Sequence, residues 1–253
     1  MDVTIQIRAA LQSQGLPTPS IAWIQSAMPS RNPLPPLPAL IATVKMRLLA
    51  ADLTNPALLE PPFPAFPPNI TNPEVQDVKL TRDIPVQVLD IDNLSKSKWE
   101  QIEELEAIAR GEQTRGREII RLPTGNEDDD GVGDAASTQF TAAGRTGPRG
   151  QNSAGATNTG SRSYTHRLVL QDCKGQKFYG LELKRIEKIG VGTLNIGEKL
   201  MLKRNAVIAR GTILLEPGTC IVLGGKIEVW QKAWMEGRLA RLREAVGADN
   251  ESR

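Results

Sequence analysis

Between Gly197 and Gly225 the chain reads GEKLMLKRNAVIARGTILLEPGTCIVLGG. This stretch restricts the fold more than any other, because short apolar segments there are separated by single turn signals. Leu200 and Leu202 alternate with Lys199, Met201 and Lys203. Ile213 and Leu215 alternate with Thr212 and Leu214, and Ile221 and Leu223 with Cys220 and Val222. Asn205, Gly211 and the Pro217-Gly218 pair punctuate them. Strands this short, joined by turns this tight, form the closing half of a small antiparallel barrel.

The opening half lies far upstream. From Ile84 the chain turns strand-like through Val86, Val88, Leu89 and Ile91. The next convincing strands are 167–170, around Leu168 and Leu170, and 177–186, joined by a turn at 172–175. The first two barrel strands are therefore separated by a long insertion, placed at 95–163, where hairpin loops are ordinarily about two to five residues. Ser97 and Glu100 make a capping box, and Trp99, Ile102, Leu105 and Ala109 follow at helical spacing, so the insertion begins with a helix. Arg117, Ile119, Ile120, Arg121 and Leu122 then form an apolar and basic cluster. Over 123–163 the composition is Gly, Ala, Thr, Ser, Asn and Asp with an acidic run at 127–130, and disorder is expected there, because few apolar groups offset about 1–2 kcal/mol of backbone entropy per residue. The acidic run is either a solvated segment or a surface that repels DNA or meets a basic partner.

Ahead of the barrel, residues 1–60 read as three short helices. Val3, Ile7, Ala10 and Leu11 form the first, ended by Gly15, and Ser20 opens the second around Ile21, Trp23 and Ile24. Leu40, Ile41, Val44, Leu48 and Leu49 stripe the third. The connector 61–83 opens with PPFPAFPP, a polyproline II spacer whose phenylalanines can tuck inward; docking of that motif by a proline-recognising domain is the competing reading. After the barrel, over 84–225, the region 226–253 holds a helix at 227–245, with Arg238, Arg241 and Arg243 expected near its C-terminus, complementing the helix dipole. The fold class is α+β: a three-helix bundle packed on a small barrel with a long insertion between its first two strands and a C-terminal helix.

The spacing of Gly197, Lys199, Asn205, Gly211, Leu214, Leu215 and Pro217, ending in Val222-Leu223-Gly224-Gly225, resembles the OB-fold domain of the RecQ-mediated genome instability protein 1 family. Ile21-Ala22-Trp23-Ile24, and Ala51-Asp52-Leu53 leading to Asn55-Pro56-Ala57-Leu58, are similar to that family's N-terminal helical domain. The resemblance implies a non-catalytic nuclear subunit that binds topoisomerase III, a type IA enzyme, together with a RecQ-family helicase. It also implies roles in decatenation and double Holliday junction dissolution, the insertion standing where the family has its decatenation loop. A minimal, fungal-type member is expected, without the second OB domain of larger relatives.

The remaining chemistry is sparse. The formal net charge is +2, from 31 basic and 29 acidic residues, so no global field draws the chain onto nucleic acid. The two cysteines, Cys173 and Cys220, read as small hydrophobes of a reducing compartment, and the one histidine, His166, as a surface residue at a strand start. They leave no disulfide framework or Cys/His metal site. Gly224-Gly225-Lys226 and Gly190-Val191-Gly192 both fail the nucleotide-loop patterns. No secretory leader or membrane-length apolar run is seen, and a soluble intracellular protein with no enzyme activity, cofactor, small-molecule ligand or membrane contact is expected. Partner contacts are placed on Trp99, Ile102, Leu105, Arg117, Ile119, Ile120, Arg121 and Leu122, although the Trp99 helix reads equally well as a cover for the barrel end. DNA contact, weak or indirect, falls to Phe178, Lys184, Arg185 and Lys188. The alternative function is an independent single-strand-binding OB protein.

Overall fold

A computed structural model describes residues 2–30, 33–67, 70–112 and 164–251, with side chains to 247 in the last helix. Residues 1–106 with 163–253 make one compact unit, and 107–162 are assigned to a second.

The three helices expected at the N-terminus are present. α1 (Val3–Ser13) starts where Asp2 Oδ1 accepts the Thr4 N–H at 3.0 Å, and α2 (Ile21–Ala27) where Ser20 Oγ accepts the Trp23 N–H at 3.1 Å. α3 (Leu37–Ala50) enters through Pro36, with Pro38 in its first turn, where a missing N–H costs nothing. Ile7, Leu11, Ile24, Leu40, Val44 and Leu48 meet in the middle, each all but fully buried. At roughly 1.5–3 kcal/mol for each large aliphatic side chain, this shared core stabilises helices too short to persist alone.

The barrel is built from β1 (Asp77–Lys79), β2 (Ile84–Asn93), β3 (His166–Gln171), β4 (Lys177–Glu182), β5 (Lys199–Leu202), β6 (Val207–Ala209), β7 (Thr212–Leu215) and β8 (Cys220–Gly224), in the order β1-β6-β7-β4-β3-β2-β5-β8. Every pairing is antiparallel except β4 with β7. β7 lies on β4 and β8 on β5, with only the turn at 216–219 between β7 and β8, so one bent segment ties the two halves of the sheet and curls it. The inward positions Leu168, Leu170, Val86, Val88, Ile213 and Leu215 fill the interior. Phe66 from the proline-rich connector joins them, its ring centre 4.2 Å from that of Phe178, while Phe63 packs on the bundle. β1, which the sequence pattern did not announce, is a short exposed edge paired with β6.

Two elements differ from expectation. β5 does not alternate: Lys199, Leu200, Met201 and Leu202 are all buried, since the outward side of this strand faces the seam with the helical bundle. In that seam Gln87 Oε1 accepts the Leu53 N–H at 2.9 Å, and Gln87 Nε2 donates to Asp52 Oδ1 at 2.7 Å and Gln171 Oε1 at 3.0 Å. Gly225, at φ +88°, closes the seam, because a Cβ there would sit 2.4 Å from the Leu49 carbonyl oxygen. The C-terminal helix α5 (Glu228–Glu251) runs further than expected, so Arg238, Arg241 and Arg243 lie within it, away from the dipole's C-terminal end, and act sideways. Trp234 packs against the barrel's apolar cluster, and Leu242 and Val246 pack on Ile102.

The Lys199 ammonium donates to the Gly197 carbonyl and is wholly buried. Burial lowers its pKa from 10.5 to about 8, against the opposing pull of Asp52 and Glu198. Between these values the unfolded chain binds more protons than the folded one. Stability from this group therefore rises with pH across the window and is lost as pH falls through about 8. In denaturant titrations, the stability of the wild type relative to Lys199→Met should increase by up to about 3 kcal/mol from pH 7.5 to 10.5. A difference that does not change with pH would contradict a buried, titrating amine.

Candidate partner interface at the root of the insertion

β2 and β3 continue pairing to their very ends, where Asn93 stands opposite His166. Beyond the ladder the Leu94 N–H donates to the Thr165 carbonyl at 2.9 Å, and the Thr165 N–H to Ser95 Oγ at 2.8 Å, joining positions seventy residues apart. The insertion thus leaves and re-enters the barrel at one pinned point.

Glu182 holds that point from β4. One carboxylate oxygen, Oε2, accepts the His166 backbone N–H at 3.2 Å and lies 2.7 Å from His166 Nδ1. The other, Oε1, accepts from the Ile186 N–H at 2.7 Å and from Arg185 Nη1 at 3.1 Å. Arg185 Nη1 also donates to the Ile189 carbonyl at 2.5 Å. His166, expected on the surface, is instead buried with Glu182, because its side chain falls on the inward side of β3 with Leu168 and Leu170. Arg185, expected as a phosphate contact, is drawn into this cluster and fixes the β4–β5 loop.

The helix predicted at the start of the insertion is α4 (Lys98–Ala109), and Ser97 Oγ accepts the Glu100 N–H at 3.1 Å as the capping box requires. Gln101 anchors it: its Nε2 donates to the Asn93 and Lys96 carbonyls at 3.1 and 3.2 Å, while its Oε1 accepts from Arg238 Nη2 at 3.2 Å. Ile102 is buried and Leu105 partly so, both against α5, with an Arg243–Glu106 ion pair at 2.6 Å alongside. The two readings of this helix divide by face. Ile102 and Leu105 cover α5 and are not free for a partner, whereas Trp99, 59% exposed, and Leu94, 47% exposed, face outward beside the root. Arg117, Ile119, Ile120, Arg121 and Leu122 lie outside the described residues.

Among the expected DNA contacts, Phe178 is placed differently. It stands opposite Leu170 and points into the core, so it offers no face to a base. Its neighbour Tyr179 points out, 51% exposed, with the Arg167 guanidinium 5.3 Å from its ring centre. Placing Leu168 and Leu170 inward and pairing β3 with β4 would have chosen Tyr179. Lys184 is exposed and pairs with Glu216 at 3.2 Å, and Lys188 is exposed in the β4–β5 loop.

Among the described residues no group of three or more His, Cys, Asp or Glu side chains is placed to hold a metal ion, and no helix is long and apolar enough to cross a membrane. Burial pushes the Cys220 thiol up to about 12 and raises that of Cys173, so neither is poised as a nucleophile.

A sheet curled through a parallel β4–β7 contact, an insertion between its first two long strands and a helical bundle in front also match known sequence families. Residues 66–238 match the model described as "RMI1, N-terminal OB-fold domain", and residues 11–56 the model "RMI1, N-terminal helical domain". The chain belongs to the RecQ-mediated genome instability protein 1 family. RecQ-mediated genome instability protein 1 of Schizosaccharomyces pombe is 31% identical to it over 173 residues, covering 66% of this chain and 65% of that relative. The family's OB-fold model covers β2 to β8 together with the insertion between β2 and β3, so membership extends to the element that carries Trp99. The family assignment agrees with the expected OB-fold domain.

The division of α4 into two faces is measurable. Ile102→Ala should destabilise the protein by about 2 kcal/mol or more, through lost packing on Leu242 and Val246. Trp99→Ala should change stability by less than about 0.5 kcal/mol. Comparable losses at both positions in chemical denaturation would show that Trp99 belongs to the core.

Proposed function

We propose that this protein is the structural and regulatory subunit of a complex with a type IA topoisomerase, topoisomerase III, and a RecQ-family helicase. In it the barrel docks on the topoisomerase, and the insertion enters that enzyme's gate to promote decatenation and double Holliday junction dissolution. The protein acts without chemistry of its own and works in the nucleus, in recombination, replication and repair. The observation that carries this reading is the pinned root: Leu94, Ser95 and Thr165 hold both ends of the insertion at one place, beside the outward-facing Trp99. A loop tethered this way shifts a gate between open and closed only through contacts that differ between those states. Trp99, Arg117, Ile119, Ile120, Arg121 and Leu122 supply those contacts in this proposal. Ile102 and Leu105 brace the helix behind them.

A second reading is favoured by Tyr179. An exposed aromatic ring with a guanidinium over it, on the second and third long strands of an OB-fold, is an arrangement on which a single-stranded base can stack. It makes direct DNA contact an auxiliary property of the subunit.

Co-elution with the topoisomerase III of the same organism on size exclusion at physiological salt tests the main reading. The wild-type chain should form a stable complex. The combined Ile119→Ser, Ile120→Ser and Leu122→Ser variant should lose stimulation of decatenation while keeping the wild-type thermal transition. Tight binding to single-stranded DNA with no topoisomerase association would overturn it in favour of an independent DNA-binding protein, and Tyr179→Ala would then abolish much of that binding.

A further inference from the structure

The outer side of β2 and β3 meets α4 and α5 in a cleft of about 160 Å³. Its charges do not cancel. On the floor, Asp90 Oδ1 accepts the Trp234 Nε1–H at 2.6 Å and the Ile91 N–H at 2.9 Å, and Asp92 Oδ2 is paired with Arg167 at 3.1 Å, so Asp92 is the one carboxylate of the floor in an ion pair. On the wall, the guanidinium groups of Arg238 and Arg241 sit 5.3 and 5.7 Å from the ring centre of Trp234. Neither makes an ion pair among the described residues: Arg238 donates to Gln101 Oε1, and Arg241 Nη2 donates to the Trp234 carbonyl at 2.9 Å. Lys98, at the rim, likewise has no ion pair among the described residues.

Two guanidinium groups held beside one another with no carboxylate in ion-pair contact with either are an unfinished arrangement. Burial lowers the pKa of Arg238, and Arg241 lowers it further, while Asp92, Glu104 and Asp90 raise it from beyond ion-pair distance. Gly237 leaves room for this placement of Arg241. A Cβ on this helical residue would lie 2.7 Å from Arg241 Nη1, so Arg241 folds back across the bare backbone to reach Trp234. Glycine in mid-helix is ordinarily a cost of about 1 kcal/mol against alanine, and here the missing side chain leaves room for the guanidinium.

We infer that this cleft receives a carboxylate side chain from an acidic segment of a partner protein, gripped between Arg238 and Arg241 above the Trp234 indole. The planar donor forks match a carboxylate in two-point geometry, and the cleft admits one such group. A nucleic-acid backbone fits less well, because Asp90 and Asp92 on the floor repel a continuous row of phosphates and the basic groups form no track. The reading requires no particular partner and stands apart from the topoisomerase proposal.

The full chain, ¹⁵N-labelled at tryptophan, is titrated at low ionic strength while the Trp234 indole N–H signal is followed by NMR. The probes are a blocked hexaglutamate peptide, a blocked hexaglutamine peptide and a thymidine oligonucleotide. Hexaglutamate should move the signal saturably and hexaglutamine should not. Affinity should fall about fivefold or more in Arg238→Gln/Arg241→Gln and also in Gly237→Ala. Gly237→Ala should melt no lower than wild type, so its loss of binding reports the displaced guanidinium and not unfolding. An unmoved signal with hexaglutamate, wild-type affinity in both variants, or an oligonucleotide acting at lower concentration than the peptide would each overturn the inference.

Discussion

Everything distinctive about this barrel depends on closing the base of its insertion. Two strand ends brought together across such a length of chain must offset the entropy of loop closure, which grows only slowly with length, and must also leave no buried polar group unpaired. Both conditions are met locally. The β2–β3 ladder runs to Asn93 and His166, two further hydrogen bonds follow at Leu94, Thr165 and Ser95, and Glu182 satisfies the His166 backbone and ring together with the β4–β5 loop. Glu182 is costly to bury alone and is tolerated because four donors surround it. With the base closed, the core residues of the barrel pack as they would around an ordinary hairpin.

The same logic explains the opposite side of the molecule. The helical bundle is joined to the barrel through a polar seam as well as an apolar one, with Gln87 serving Leu53, Asp52 and Gln171, and Lys199 buried beneath. Asp52 is opposed by burial, yet the donors Gln87 and Thr54 hold its carboxyl below the ordinary range. Such a seam fixes one docking position, since any slip would strand a buried amide or charge. α5 then connects the two ends of the story: Trp234 packs against the barrel's apolar cluster, and Leu242 and Val246 receive Ile102 from the helix that begins the insertion.

Much of this was legible in the sequence, and where it was not the reasons are physical. Turn residues and alternation located the barrel strands, and the capping box located α4, because those signals are local. Lys199 defied alternation because its strand is covered on both faces, a fact owned by the bundle and not by the strand. His166 and Arg185 read as free surface groups until β3 and β4 were paired; His166 is buried and the still exposed Arg185 is held at the surface by their shared partner Glu182, sixteen residues from one and three from the other. Phe178 and Tyr179 exchanged roles through register alone. The basic cleft on α5 was hidden for a different reason. Its arginines were assigned to the helix end, and the helix's true length places them in mid-helix, where Arg238 and Arg241 reach Trp234.

The central claim is that a rigid root presents the insertion to a topoisomerase, and hydrogen–deuterium exchange with and without topoisomerase III tests it most directly. In the free protein the amides of Leu94, Thr165 and His166 should be protected like those of Leu168 and Leu170. On adding the enzyme, new protection should appear in the insertion, beginning on α4 near Trp99, with the barrel interior unchanged. Root amides that exchange as fast as chain ends, or enzyme-induced protection that leaves the whole insertion untouched, would contradict the account.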